Sequence, residues 1–126
     1  MDCYFGSYEL PRGNELDKSA VVAFHIPDVG IKFKAPFAAV DHDHGDLAAL
    51  LALLEFIDCN QKHFSKHTYH IYGTNRRVVN GVNQREPMHP KFAELLAKAR
   101  AYRDKYRFSL RWVPADENAA YDPLSP

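Results

Sequence analysis

The sequence of 126 residues is long enough for one hydrophobic core and too short for two domains of ordinary size, so we expect a single domain over residues 1–126. Sixteen basic residues balance sixteen acidic ones, which excludes a global charge that drives the chain onto nucleic acid or an anionic membrane. Hydrophobic residues at 46% and aromatic residues at 13% exclude an intrinsically disordered chain.

The cysteines and the hydropathy pattern indicate the compartment. Cys3 and Cys59 have no paired spacing, and the sequence contains neither a secretory signal nor a run of about 20 apolar residues, the length that spans a membrane. These features predict a cytoplasmic protein with reduced thiols and no membrane partner.

Three strand-like segments open the sequence. The aromatic run Cys3–Tyr8 has a composition typical of a strand. Two further β-rich runs, Ala20–His25 and Ile31–Phe37, are separated by a Pro-Asp-Val-Gly sequence that is typical of a hairpin connection. In the third run apolar side chains alternate with Lys32 and Lys34, which predicts one apolar face and one face that carries lysines.

Helical periodicity follows and is interrupted by one strand. Asp46–Asp58 has leucine and alanine on nearly all sides, which predicts a helix that is buried on several sides. Thr68–Tyr72 is typical of a strand, and the Gly-Thr-Asn after it predicts a turn before a helix over Arg76–Val82. A longer helix opens at a His-Pro pair, carries many basic residues and has an apolar face that extends to Tyr106.

The chain closes with a strand and a short tail. Phe108–Val113 is the last strand-like run, and Pro114 begins a turn-forming segment. Pro123 and Pro126 predict that no long terminal helix follows. The elements are therefore three strands, a helix, a strand, helical material and a final strand.

Three short sequences resemble motifs of ribonuclease H. Residues 73–83 have the sequence G-T-N-R-R-V-V-N-G-V-N, which resembles the fourth strand and following helix of that family, where a D-S-x-x-V-V-N run begins with a metal-binding aspartate. Residues 111–122 have the sequence R-W-V-P-A-D-E-N-A-A-Y-D, similar to the closing motif W-V-P-x-H-x-N-x-x-A-D. Residues 4–8, Y-F-G-S-Y, resemble the D-G-S turn of the first strand. With the leucine-rich helix, the likeness spans nearly the whole chain.

This resemblance implies a fold and an activity. The fold is an α/β ribonuclease H-like domain with a five-stranded mixed sheet, strands 1–3 antiparallel and helices on its faces, here with a short C-terminal tail in place of the terminal helix. Short hairpin connections agree with the antiparallel order. The activity is hydrolysis of RNA in RNA–DNA hybrids by two divalent cations, usually magnesium, which four carboxylates hold.

Carried over residue by residue, the resemblance leaves two of the four acidic positions. The first aspartate falls on Phe5 and the third on Thr74, whereas the helix glutamate falls on Asp46 and the closing aspartate on Asp122. The histidine that assists product release in some members falls on Asp116. Two carboxylates give too little negative charge for two magnesium ions, so we expect magnesium or manganese to bind weakly and hydrolysis to be weak or lost.

The segment from Asp41 to His44 contains the densest set of metal-capable side chains. Imidazole and carboxylate suit transition metals, but alternating residues of an extended segment point in opposite directions. One interpretation is a metal site built from Asp43, His44, Asp46 and Asp122. The other is a solvated loop that caps the leucine-rich helix, with Asp46 in the first helical turn.

Basic residues predict a second kind of site. They are spread along the chain, and we expect them to follow a phosphate backbone of RNA or an RNA–DNA hybrid; they are Lys32, Lys34, Arg76, Arg77 and Lys98. The alternative is a solvated charged face, which the balanced total charge favours.

Several aromatic residues fall at strand spacing. For Trp112, Tyr4, Tyr8, Tyr69 and Tyr72 we expect core packing, because stacking on nucleic-acid bases requires exposed rings.

Three functions remain open at this point. The first is a nucleic-acid-binding domain without efficient cleavage. The second is an active divalent-metal-dependent ribonuclease with a non-standard site, whose cleavage depends on Asp46 and rises when acids are restored at positions 5 and 74. The third is a protein interaction module or homo-oligomer that uses an open sheet edge or face.

Overall fold

A computed structural model describes residues 1–64 and 67–121 of the chain. The strands are β1 Asp2–Glu9, β2 Ala20–Ile26, β3 Ile31–Phe37, β4 His70–Gly73 and β5 Ser109–Trp112. The α-helices are α1 His42–Cys59, α2 Gln61–Phe64, α3 Arg76–Val82 and α4 Ala93–Tyr106, and 3-10 turns span Pro27–Val29, Pro90–Phe92, Ala115–Glu117 and Ala119–Tyr121.

The five strands form one mixed sheet in the order β3-β2-β1-β4-β5. β1 pairs antiparallel with β2, and β2 pairs antiparallel with β3. On its other side β1 pairs parallel with β4, which pairs parallel with β5. The five-stranded mixed sheet with three antiparallel first strands is therefore confirmed.

Helix α1 lies across one face of this sheet and contacts β1, β2, α3 and α4. Its leucines are buried because each side of the helix meets another element, which confirms the prediction from its apolar composition. The opposite face of the sheet contacts the Ala119–Tyr121 turn through β1 and β2.

The start of α1 differs from the prediction. The helix begins at His42 and not at Asp46, because the side chain of Asp41 accepts a hydrogen bond from the backbone N–H of His44 at 2.8 Å and caps the first turn. The segment expected to be a loop is therefore this first turn, and Asp46 lies in the second turn. The prediction that Asp46 is a first-turn residue was wrong.

The other predicted bounds agree with the structure to within two residues, except at the start of α4, where the turn Pro90–Phe92 precedes the helix. The short helix α2 was not predicted. The predicted tail beyond Tyr121, with Pro123 and Pro126, lies outside the described residues. Within the ranges that are described, no helix combines the length and apolar character needed to cross a bilayer.

Candidate functional site

The first acidic position of the family pattern lies inside the core. Phe5 is 1% exposed in the middle of the central strand β1. Its ring lies against Gly73 at the end of β4, so closely that a Cβ atom on residue 73 would overlap it. An aromatic ring thus occupies the space between the two strands on the side of the sheet that faces α1.

Asp46 is the buried carboxylate of the site. It is 2% exposed, and its Oδ1 accepts hydrogen bonds from the Ser7 backbone N–H at 2.9 Å and the Ser7 hydroxyl at 2.8 Å. Its Oδ2 accepts from Asn75 Nδ2 at 2.9 Å and lies 3.1 Å from His42 Nε2. Burial raises the pKa of Asp46, while the donors from Asn75 and Ser7 and the nearby His42 oppose this increase.

Asn75 joins the N-terminal ends of α1 and α3. Its Nδ2 donates to Asp46 and also to Asp43 Oδ1 at 2.8 Å, while its Oδ1 accepts from the backbone N–H groups of Arg77 and Val78. Arg77 Nε donates to both carboxylate oxygens of Asp43, at 2.9 and 3.1 Å. Burial raises the pKa of Asp43, but the Arg77 and Asn75 hydrogen bonds outweigh it and hold this pKa below its usual value.

Thr74 stands at the third acidic position, and its side chain and carbonyl form hydrogen bonds with neutral groups. Its Oγ1 accepts a hydrogen bond at 3.0 Å from Asn118 Nδ2, which also donates to the Phe5 carbonyl at 2.9 Å. The Thr74 carbonyl accepts from Trp112 Nε1 at 2.7 Å. Trp112 is 37% exposed, and the guanidinium of Arg76 lies 3.9 Å from the centre of its ring.

Tyr121 contacts the site from the other face of the sheet. Its hydroxyl accepts from the Ser7 backbone N–H at 3.2 Å and donates to the Ser7 carbonyl at 3.1 Å, and its ring covers Gly6. Burial, assisted by the charge of Asp46, raises the pKa of Tyr121 to about 12.

Of the predicted metal ligands, Asp43 and Asp46 meet at Asn75 Nδ2, and the others do not join them in the described part of the chain. His44 packs its ring against Phe37 and Phe92, and its Nδ1 accepts from the Val40 backbone N–H. Asp116 is exposed in the Ala115–Glu117 turn, and Asp122 lies outside the described residues. Residues 1–64 and 67–121 contain no group of three histidine, cysteine, aspartate or glutamate side chains placed to hold a metal ion.

The described residues therefore do not fit the two-cation site that the resemblance implies. Cations of this kind need several oxygen ligands with free lone pairs. Phe5 supplies none, Thr74 supplies a neutral hydroxyl that already accepts from Asn118, and both Asp46 oxygens already have two polar partners each.

The predicted basic residues divide between the two faces of the sheet. Arg76 and Arg77 lie beside the site at the start of α3, and exposed Lys98 lies on α4, where it lines a groove of about 260 Å³ with Phe33. Lys32 and Lys34 point to the opposite face, since they alternate with Phe33 on β3. One continuous phosphate path over all five residues thus has no support, and the two groups belong to separate surfaces.

Sequence reasoning missed Ser7 and Tyr121 as members of the site, and it placed His42 among the metal-capable residues from Asp41 to His44 without its contact to Asp46. The i, i+4 spacing of His42 and Asp46 was a usable signal once the helix start is placed correctly. Asn75 was recognisable as a helix cap, but its bridge between Asp43 and Asp46 depends on how α1 and α3 meet.

Comparisons with known proteins define the class of fold. The chain has the ribonuclease H fold. The N-terminal RNase H domain of a Mycobacterium tuberculosis protein, solved as a fusion with maltose-binding protein, is similar with a TM-score of 0.73 and 18% identity over 93% of this chain and 84% of that one. An RNase H1 from the halophilic archaeon Halobacterium salinarum gives a TM-score of 0.74 and 20% identity over 98% and 92%.

A third similar structure, LC11-RNase H1 in complex with an RNA/DNA hybrid, gives a TM-score of 0.73 and 15% identity over 94% of this chain and 88% of that one. At these identities the likeness shows the fold alone. No protein-family model and no curated protein matches the sequence.

Proposed function

We propose that this protein is a ribonuclease H-fold domain that binds nucleic acid without efficient hydrolysis. The observation that carries this proposal is the hydrogen bonding of Asp46. This carboxylate is buried, and both of its oxygens already have two polar partners. Its role is to hold β1, α1 and α3 together at their meeting point.

A structural role for Asp46 conflicts with family-type catalysis. A cation at this carboxylate would have to displace a donor from one of its oxygens. The Ser7 hydroxyl is buried and donates to Asp46 Oδ1, so the loss of this hydrogen bond would cost about 1–3 kcal/mol. Phe5 and Thr74 supply no carboxylate to offset that cost. We therefore derive no hydrolytic step through a metal at this site.

The binding surface that we propose is the rim beside Thr74. Arg76 and Trp112 are exposed there as a stacked cation and ring, and Arg77 is exposed on the same helix start. A guanidinium contacts phosphate, and an indole packs against the sugars of a nucleic-acid backbone. The similar LC11-RNase H1 was solved with an RNA/DNA hybrid, which supports a hybrid or structured RNA as the ligand here.

The test is cleavage and binding of one labelled RNA–DNA hybrid. Cleavage is measured with magnesium and with manganese, and binding is measured by gel shift in EDTA. We expect binding without cleavage, and we expect Arg76→Glu to weaken binding at least tenfold. Lys62→Glu is the matched charge control. Lys62 is exposed in α2, which follows the C-terminal end of the 18-residue helix α1, whereas the site lies at the N-terminal end of that helix.

Two outcomes contradict the proposal. Metal-dependent cleavage that disappears in Asp46→Asn or in Asp122→Asn establishes the active ribonuclease instead. Absence of both cleavage and binding leaves the protein interaction module, which a concentration-dependent sedimentation coefficient would then support.

A further inference from the structure

A row of paired residues crosses the whole sheet on the face opposite α1. In strand order from β3 to β5, the register of the paired strands aligns Lys32, His25, Tyr4, Tyr72 and Arg111. Directly paired residues point to the same face, so these five side chains lie side by side. At about 4.8 Å between strands the row is roughly 19 Å long.

This row lies on the face opposite the site described above. Phe5, which precedes Gly6 on β1, points toward α1, whereas Gly6 points away and is covered by the ring of Tyr121. Tyr4 shares the direction of Gly6 because side chains alternate along a strand. The expectation that Tyr4 and Tyr72 belong to the core was therefore wrong, since both are only partly buried on this second face.

The two tyrosines form the centre of the row. Their rings stack with centres 5.2 Å apart and planes inclined by 27°. Beside them, His25 Nδ1 lies 3.2 Å from the Ala119 carbonyl, where the Ala119–Tyr121 turn adjoins the row. The tyrosine pair thus combines a fixed ring geometry with access to solvent.

Positive charges lie on both sides of these rings, with Arg111 adjacent to Tyr72 and Lys32 separated from Tyr4 by His25. Exposed Lys32 and Arg111 are at the two ends, and the row itself contains no carboxylate. Asp2 lies in the adjacent row, paired with His70, and Asp28 follows β2. Both carboxylates act with burial to raise the pKa of Tyr4, so they lie near its ring. They repel a polyanion that approaches from the side of Asp2 and Asp28, whereas a strand that runs along the row meets Lys32 at one end and Arg111 at the other.

We propose that this Tyr4–Tyr72 row is a second nucleic-acid site, which takes a single strand of RNA or DNA. Unpaired bases stack on aromatic side chains regardless of sequence, and phosphates bind lysine and arginine. A duplex cannot offer its bases to a flat sheet face in this way, because they are already stacked and paired. The ligand class therefore differs from the hybrid proposed for the Arg76 and Trp112 rim, and the two sites are independent.

The experiment measures fluorescence anisotropy of labelled 12-nucleotide oligouridine and oligothymidine with the 126-residue chain in EDTA. We expect both oligonucleotides to bind, because stacking and phosphate contacts do not require the 2′-hydroxyl. Lys32→Glu with Arg111→Glu should weaken binding at least tenfold, and Lys62→Glu is the control. Lys32→Gln with Arg111→Gln should lower the slope of log affinity against log salt by about 1.4, the value for two lost phosphate contacts to a single strand.

Aromatic variants test the stacking directly. Tyr4→Leu with Tyr72→Leu should weaken binding at least fivefold, whereas Tyr4→Phe with Tyr72→Phe should retain it, because phenylalanine keeps the ring face. Lys32 and Arg111 are exposed, so the charge variants keep the test decisive even if the leucine variant is unstable.

Three results would overturn the proposal. They are no single-strand binding by the unmodified protein, equal binding by the Lys32→Glu, Arg111→Glu variant, and full displacement of the single strand by one equivalent of hybrid. Failure of the rim proposal is recognised separately, because Arg76→Glu should change hybrid binding and leave single-strand binding intact.

Discussion

The ring of Phe5 lies directly against the backbone of Gly73, where the central strand meets its parallel neighbour. A carboxylate at position 5 would replace a core side chain, and a side chain at position 73 would displace it. Two small features of the sequence, one aromatic residue and one glycine, thus depend on each other. Restoring the family acid at position 5 is consequently a change to the core before it is a change to a metal site.

Phe5→Asp should lower the free energy of unfolding by at least about 3 kcal/mol, because it removes a buried ring and buries a charge. Phe5→Leu, which keeps an apolar side chain, should cost roughly 1–2 kcal/mol. Urea denaturation followed by the fluorescence of Trp112, the single tryptophan, measures both. A Phe5→Asp protein as stable as the parent would show that position 5 is not part of the core.

Asp46 should make a pH-dependent contribution to stability with a defined sign. Burial raises its pKa in the folded state above the unfolded value near 4. At pH values between the unfolded and the folded pKa, the folded protein therefore binds more protons than the unfolded chain. The stability of the parent relative to Asp46→Asn should therefore fall as pH rises from 3 to 7. Unfolding free energies of both proteins across this range provide the measurement, with His42→Gln to separate the neighbouring imidazole; an increase with pH would contradict the assignment.

Asp43→Asn should strengthen binding of the hybrid. Arg77 is 71% exposed but donates to Asp43, so removing this carboxylate frees a guanidinium for phosphate. We expect three- to tenfold tighter binding at low salt, with the log–log salt slope steeper by about 0.9, the value for one added phosphate contact to a duplex. Asp58→Asn is the matched control, because it breaks a similar pair with Lys105 at 2.8 Å near the far end of α1; equal effects of both variants would argue against a local site.

Trp112 should position Arg76 for binding. Trp112→Leu removes the ring on which the guanidinium lies and should weaken hybrid binding about three- to tenfold. Trp112→Phe keeps a ring and should retain most of the affinity. It removes the hydrogen bond to the Thr74 carbonyl, which should lower the free energy of unfolding by about 1 kcal/mol. Anisotropy titration and urea denaturation separate the two effects, the denaturation being followed by circular dichroism because both variants lack the single tryptophan. Equal affinity losses in both variants would exclude a stacking role.

The sequence predicted the elements well because their patterns are local. Alternation in Ile31–Phe37 and the apolar composition after Asp46 gave a strand and a buried helix, and both are present. The start of α1 was missed because the Asp41 cap is a side-chain hydrogen bond that composition does not reveal.

The site was predictable only where a motif position fixed it. Phe5 and Thr74 follow from the resemblance, whereas the Asn75 bridge between two helix ends requires their relative placement. Similarly, alternation predicted that Lys32 and Phe33 lie on opposite faces of β3. Which of these two faces meets α1 depends on the order of the strands in the sheet.

The central position of β1 has a consequence during synthesis. β1 ends at Glu9 and its parallel partner β4 begins at His70, so about 60 residues separate two strands that must pair. At roughly 5–20 residues per second, a ribosome takes about 3–12 s to make that stretch. Throughout this interval the edge of β1 that later pairs with β4 has no partner, and an unpaired strand edge is a place where a nascent chain is prone to aggregate.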